Sequence, residues 1–189
     1  MFTKIRNIIN RIEWNCCARK FCSIGEHSFM GVGFSVKHPE NISVGDYFTC
    51  GKDVRIQTWP IYRGEDTGYT PKLIIGNKVS VTERCFISCL NHIEIGDGTL
   101  LGSDVFISDN SHGRNSADEL EIPPGDRKLY SKGSVIIGKN VWIGKNACIM
   151  PAVKIGDGVI IGANSVVTHD IPSNCIAAGI PAKIIRKIR

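Results

Sequence analysis

The sequence predicts an all-β protein, a parallel solenoid of about six triangular coils with an N-terminal helix and a short C-terminal helix. Three observations predict it. An aliphatic residue recurs every six positions through most of the chain, as in Ile155-Gly-Asp-Gly-Val159-Ile160 followed by Ile161-Gly-Ala-Asn-Ser165-Val166. These leads fall in threes: in most triplets the first two are followed by Gly and the third is not, as with Gly96, Gly102 and then Ser108. The fifth position is usually small or β-branched (Val54, Thr99, Val105, Val141, Ala147, Val153, Val159, Ser165). Three short strands and three turns make one coil of about 18 residues, and such coils stack on one another. A β-sandwich with alternating strands does not explain a six-residue period held so long.

The leads are Ile24, Met30 and Val36, then Val44, Cys50 and Ile56, then Ile75, Val81 and Ile87. Ile95, Leu101 and Ile107 follow, then Ile137, Ile143 and Ile149, and last Ile155, Ile161 and Val167. A large apolar lead fills the coil interior, and position five supplies a tighter inward site. The Gly and the Asp or Asn after it suit turn backbone. The repeat domain therefore spans 23–170, interrupted at 57–72 and 113–134. Insertions in repeat proteins commonly map to the working face.

Residues 1–22 read as an amphipathic helix, with Ile5, Ile8, Ile9 and Ile12 on one face. It either caps the open first coil or lies against the inner membrane surface. Residues 171–189 leave the repeat, and Ile184, Ile185 and Ile188 predict a short helix with a basic face.

Composition narrows the class. Hydrophobic residues are 42% and charged residues 22%, which excludes disorder, and no apolar run reaches a spanning length of about 20 residues. No secretory leader is evident, so a cytoplasmic protein with reduced thiols is expected. The eight cysteines form no paired C-x-x-C set, and no metal is expected. The net charge of +5 comes without a recognition helix or an aromatic-and-basic platform, so nucleic acid is not an expected partner.

Chemistry points to the second interruption. His112 sits at position six of its hexad, where side chains point outward, and opens a polar loop broken by Pro and Gly. A His in a cleft suits general-base work on a hydroxyl. Asp109, three residues earlier, is placed to orient the imidazole or to hold the acceptor. His92 takes the same hexad position one coil earlier and falls near His112 if the eight-residue step from Ile87 to Ile95 does not shift the column. In the first interruption Trp59, Tyr62 and Tyr69 either face a sugar ring or pin their own loop.

Several segments carry a family resemblance. They are Asp109-Asn-Ser-His-Gly113, Leu129-Tyr-Ser-Lys-Gly133, Val141-Trp-Ile-Gly144, Ile161-Gly-Ala-Asn-Ser-Val-Val-Thr168 and Ala178-Gly-Ile-Pro-Ala-Lys183. With the hexads they resemble the hexapeptide-repeat acyltransferases, which are left-handed parallel β-helix enzymes. Within these, the sugar and polysaccharide O-acetyltransferases related to the maltose and galactoside acetyltransferases are the nearest group. The resemblance implies a homotrimer with active sites between subunits, acetyl-CoA as cosubstrate, no metal, and a sugar or glycan acceptor. It implies that His112 is the catalytic base; Asp109, Asn110 and His92 are expected on the acceptor side. Trp142, Gly144 and Lys145 match positions along the pantetheine arm, Ala163 and Thr168 positions further up, and Lys183 and Arg186 basic residues near the CoA phosphates. His169 departs from the pattern, since relatives often carry Lys after the Thr. N-acetylation of an amino sugar and a non-catalytic structural solenoid are the alternatives. A zinc carbonic anhydrase on the same fold fits poorly, because position 117, five after His112, is Ala.

Overall fold

The computed structural model describes residues 17–114 and 116–188. Three parallel sheets form the body, and the leads align residue on residue within each. In the first, Ile24, Val44, Ile75, Ile95, Ile137 and Ile155 stack in that order. In the second the column is Met30, Cys50, Val81, Leu101, Ile143 and Ile161. In the third it is Val36, Ile56, Ile87, Ile107, Ile149 and Val167. Consecutive hexads thus occupy consecutive sheets, and amides of one strand donate to carbonyls of the strand beside it.

The core is the line of leads, and from Met30 onward nearly every one is sealed from solvent. Position five joins it: Phe48, Val54, Val79, Cys85, Val141, Ala147, Val153 and Val159 are all buried. Two members of that set are polar, and each is satisfied. Thr99 Oγ1 donates to the Gly138 carbonyl at 3.0 Å and accepts from Val141 N–H at 3.2 Å. Ser165 Oγ accepts from Gly179 N–H at 3.1 Å. Burial without a partner would cost about 1–3 kcal/mol for each.

The turns divide their labour differently from the sequence expectation. The left-handed backbone is at position four, where Asp53, Asp104, Asn140, Asn146, Gly158 and Asn164 stand with φ of 53 to 64°. The Gly at position two has an ordinary φ. It is required because a Cβ there would strike the next coil: at Gly144 it would lie 2.6 Å from Ala163 N, and at Gly96 2.6 Å from the Gly138 carbonyl carbon. One column of turns is also tied by side chains. Asp46 N–H donates to Asn77 Oδ1 and Asn77 N–H to Asp97 Oδ1, each at 2.8 Å. That bond, and then Lys139, hold the Asp97 carboxyl below the usual carboxylate range.

Both ends differ from expectation. The helix expected over 1–22, with its membrane contact, lies outside the described residues for 1–16. Of the rest, 17 and 18 are helical, and the chain then turns through Lys20 N–H to Cys17 O and Phe21 N–H to Ala18 O. Phe21 is buried against the core, so residues 19–22 are a turn that plugs the first coil and not helix. The C-terminal helix is replaced by a strand. Ala182–Lys187 runs antiparallel to Cys175–Gly179, which itself extends the second sheet beside Ile160–Ile161. Ile171 pairs with Ile155, and Ala177 with Ile161, so the repeat continues into the tail. Ile184 and Ile185 fit a helical spacing, but β-branched residues are equally suited to a strand, and the open edge of the second sheet offers a ladder of unpaired groups that a helix would not satisfy.

The two interruptions lean on each other. Ile61–Tyr62 and Glu65–Asp66 form a small hairpin in the first. In the second, Ser111–His112 pairs antiparallel with Leu129–Tyr130, closing a loop that holds two short 3-10 turns at Ala117–Glu119 and Pro124–Asp126. Arg63 binds the Asp126 carboxylate and the Gly125 carbonyl, Tyr62 OH donates to that same carbonyl at 3.3 Å, and Tyr69 OH accepts from Ser131 N–H at 3.2 Å.

Ile143 is wholly enclosed at the middle of the second column, whereas Ile184 is 47% exposed on the terminal strand. Ile143→Ala is expected to cost about 2–5 kcal/mol and Ile184→Ala under about 1 kcal/mol, read as shifts in the urea unfolding midpoint. Equal shifts would contradict the stacked-column account.

Candidate active site

The site is built where the third sheet hands the chain to its second interruption. After the inward lead Ile107, the next two residues also turn in: Ser108 and Asp109 are buried. Asp109 is fully enclosed and spends both oxygens on backbone. Oδ1 accepts from Leu90 N–H at 2.7 Å, and Oδ2 from Asn91 and His92 N–H, each at 2.8 Å. Asn110 Nδ2 adds a bond to Oδ1 at 3.1 Å. The expected roles of Asp109, orienting the imidazole or holding an acceptor, are therefore not available to it. It fixes the 90–92 turn through charge-assisted bonds. Its neighbour Cys89 is buried, and burial first, then the Asp109 carboxylate, push that thiol far above the ordinary range. Cys50 and Cys85 are pushed up to about 11, mainly by burial, so none of the three serves as a thiolate nucleophile.

Asn110 is tied to the same frame. Its Nδ2 donates to the Ser88 carbonyl at 2.9 Å and to Ser88 Oγ at 3.1 Å, and Trp59 Nε1 donates to that hydroxyl at 3.0 Å. Trp59 is thus a pin, and Lys37 Nζ lies 4.0 Å over its ring. The Trp59 and Tyr62 rings meet edge to face at 5.9 Å, and Tyr62 leans on the His112 imidazole at 5.7 Å. His112 itself is exposed, pairs through its backbone with Leu129, and has neither ring nitrogen hydrogen-bonded among the described residues. It faces a pocket of about 400 Å³ whose walls include Trp59, Tyr62, Phe86, Phe106, Ser88 and Ser108. Such a group can accept a proton from a hydroxyl brought into the pocket.

The other candidates fall in three places. His92 is joined to the site through its backbone, while its ring sits 3.7 Å from Glu94 and lines none of the clefts around His112. Gly144, Lys145 and Ala163 lie on stacked turns between the second and third sheets, with Trp142 52% exposed on the second sheet just before them. Gly144 is there for packing, as described above. Lys145 lies 3.8 Å from Asp104, whose carboxyl the Arg84 guanidinium holds below its usual range. Lys183 and Arg186 are exposed on the terminal strand, paired with Ala178 and Ile176. Thr168 stands apart from these, on the turn between the third and first sheets and in a cleft with Asn110 and Ser111. One chain therefore does not gather the seven cofactor candidates into one place. Among the described residues no group of three or more His, Cys, Asp and Glu side chains is placed to hold a metal ion, and no helix is long and apolar enough to cross a membrane.

Sequence reasoning missed Ser88 as the hub and Tyr62 as the neighbour of His112. The aromatic density of 57–72 was the available signal, but the hairpin that folds Tyr62 back is set by contacts with residues 125 and 126, far along the chain.

Residues 134–169 match the family described as bacterial transferase hexapeptide, six repeats. The chain is 36% identical over 155 residues to the "Putative lipopolysaccharide biosynthesis O-acetyl transferase WbbJ" of Escherichia coli K12; the match spans 80% of this chain and 74% of that one. It is 40% identical over 166 residues to the galactoside O-acetyltransferase of Escherichia coli K12, spanning 82% and 74%. Among solved structures, a galactoside acetyltransferase in complex with coenzyme A superposes with a TM-score of 0.59 at 27% identity, over 93% of this chain and 69% of the other.

The enclosed carboxylate of Asp109 gives a clear test. In Asp109→Asn an amide N–H₂ must face backbone donors, which leaves buried groups unpaired at a cost of about 1–3 kcal/mol each. The variant is expected to melt several degrees lower than the parent. An unchanged melting temperature with only a raised acceptor KM would instead make Asp109 an acceptor ligand.

Proposed function

Because this chain belongs to the hexapeptide-repeat acetyltransferase family, we propose that it is an acetyl-CoA-dependent O-acetyltransferase acting on a hydroxyl of a sugar or polysaccharide precursor. The observation that carries this reading is His112: an exposed imidazole with free nitrogens, held at the mouth of an aromatic pocket by a closed hairpin. The names of the two relatives support oxygen as the acceptor atom and a glycan as its source. The CoA complex of the galactoside acetyltransferase supports the cosubstrate.

In this reading the acceptor ring lies against Trp59, Tyr62, Phe86 and Phe106, whose faces suit the apolar side of a sugar. Its hydroxyl gives a proton to His112 as the oxygen attacks the thioester carbonyl carbon. A C–O bond forms, backbone N–H groups bear the charge on the tetrahedral oxygen, and the C–S bond then breaks. The imidazolium returns its proton to the departing sulfur, so the base is restored. Tyr62 keeps the ring from turning away, and Asn110, anchored on Ser88, sets the distance from pocket floor to base.

Assembly belongs to the same reading. Trp142, Gly144, Lys145 and Ala163 lie on one edge of the solenoid and His112 and Thr168 on another. A left-handed coil in a homotrimer brings one edge of each subunit to the other edge of its neighbour, which reunites donor and acceptor halves. Cytoplasmic location completes the reading.

Replacing His112 with Ala is expected to lower kcat by at least about 10²-fold while acetyl-CoA affinity stays within a few-fold. Turnover is followed by release of free CoA thiol. Normal turnover by the variant would remove His112 as base.

A further inference from the structure

On the far side of the Ser111–His112 strand from the aromatic pocket lies a second cleft, of about 480 Å³, with Asn110, Ser111, Arg114, Tyr130, Lys132 and Thr168 in its walls. Its charged side chains are two cations and no carboxylate. Other cations are matched by carboxylates, Arg63 by Asp126, Arg84 by Asp104 and Lys139 by Asp97. Arg114 and Lys132 form no ion pair among the described residues, and Arg114 lies 5.7 Å over the Tyr130 ring. Arg114 also borders the adjoining cleft with Asp118 and Glu119; Ser116 first, and more weakly the Arg114 charge, hold the Asp118 carboxyl below its usual range, and Glu119 is engaged by the Arg114 backbone N–H at 2.6 Å. Two cations without an ion pair on one cleft that holds no carboxylate make a local positive field, and a fork-shaped guanidinium with an ammonium suits phosphate or carboxylate oxygens.

We infer that Arg114 and Lys132 bind an anionic group, phosphate or carboxylate, carried by the acceptor sugar. This rests on the acetyltransferase reading above. In that reading the thiol end of CoA is at His112 and its phosphates are near Lys183 and Arg186, with an uncharged pantetheine arm between. Arg114 is two residues beyond His112, and Lys132 is three beyond Leu129, the backbone partner of His112. Lys183 and Arg186 lie on the last strand of the second sheet, four strand spacings beyond Leu101 by way of Ile143, Ile161 and Ala177. At about 4.8 Å per spacing that is roughly 19 Å along the solenoid. The cations at the His112 end are thus set apart from the donor's own charges. The acceptor they select is a sugar whose ring meets the aromatic pocket and whose charged substituent crosses the hairpin.

The test is calorimetry on the full chain saturated with CoA, titrated with galactose 1-phosphate and with methyl galactoside. The phosphorylated sugar is expected to bind at least tenfold more tightly than the neutral one. In Arg114→Ala/Lys132→Ala that preference disappears while CoA affinity stays within twofold. Equal binding of the two sugars by the parent protein overturns the inference. So does a variant that loses CoA affinity in step with the sugar phosphate, since the cations would then serve the donor. The same titration without CoA separates this from the reading beneath it. A protein that fails to bind CoA yet prefers the phosphorylated sugar through these two cations defeats the acetyltransferase reading and leaves the anion site standing. Preference seen only when CoA is absent places the phosphate in the donor's tract and overturns the inference.

Discussion

Like residue stacked on like residue, at the spacing of a parallel sheet, is the constraint the rest of this molecule obeys. Each lead must sit over the lead of the coil before it, as Ile95 sits over Ile75 and under Ile137. That spacing leaves no room for a side chain at the second position of many turns, which is why Gly144 and Gly96 press on the backbone of the next coil. It also forces each turn to reverse in few residues, and the left-handed conformation at position four does this. Asn and Asp accept that conformation more readily than most residues, yet Tyr47, Lys78 and Ala152 adopt it too. The cooperative gain from three aligned columns outweighs the local strain at those turns.

A scaffold so regular has no concave site of its own, and the two interruptions supply one. Both leave from the third sheet, and they close on each other through Arg63, Tyr62 and Tyr69. Asp109 joins the two levels. It is the point where the regular column ends, and it locks the preceding turn at Leu90 to His92 before the chain departs. His112 then emerges on a strand whose position is set from both sides, by the solenoid beneath and by the hairpin above. The base proposed at His112 needs a fixed place more than a special one, and that place follows from the rigidity of the coil.

How much of this could be read in the residues depends on the range of the interaction that decides it. The lead columns were legible because each coil repeats the same local demand. The inward position five was legible for the same reason. The tail was not: Ala177 is a lead too small to stand out, and Pro172 replaces the usual Gly after Ile171, which hides the continuing repeat. Ile184, Ile185 and Ile188 fit a helical face, but the open edge of the second sheet decides the outcome. Asp109 was misread because closeness in sequence suggested contact with His112, whereas the chain turns its carboxylate inward. Tyr62 and Ser88 were hidden because they meet the site through pairings of 22 to 63 residues' separation.

The central claim is that a groove along this solenoid receives CoA, with its phosphates at the terminal strand. Calorimetric titration of acetyl-CoA into the parent protein and into Lys183→Ala/Arg186→Ala addresses it directly. The account predicts micromolar binding by the parent, weakened in the variant by the loss of two charge-assisted contacts. A parent protein that takes up no acetyl-CoA would contradict it and leave a solenoid whose role is structural.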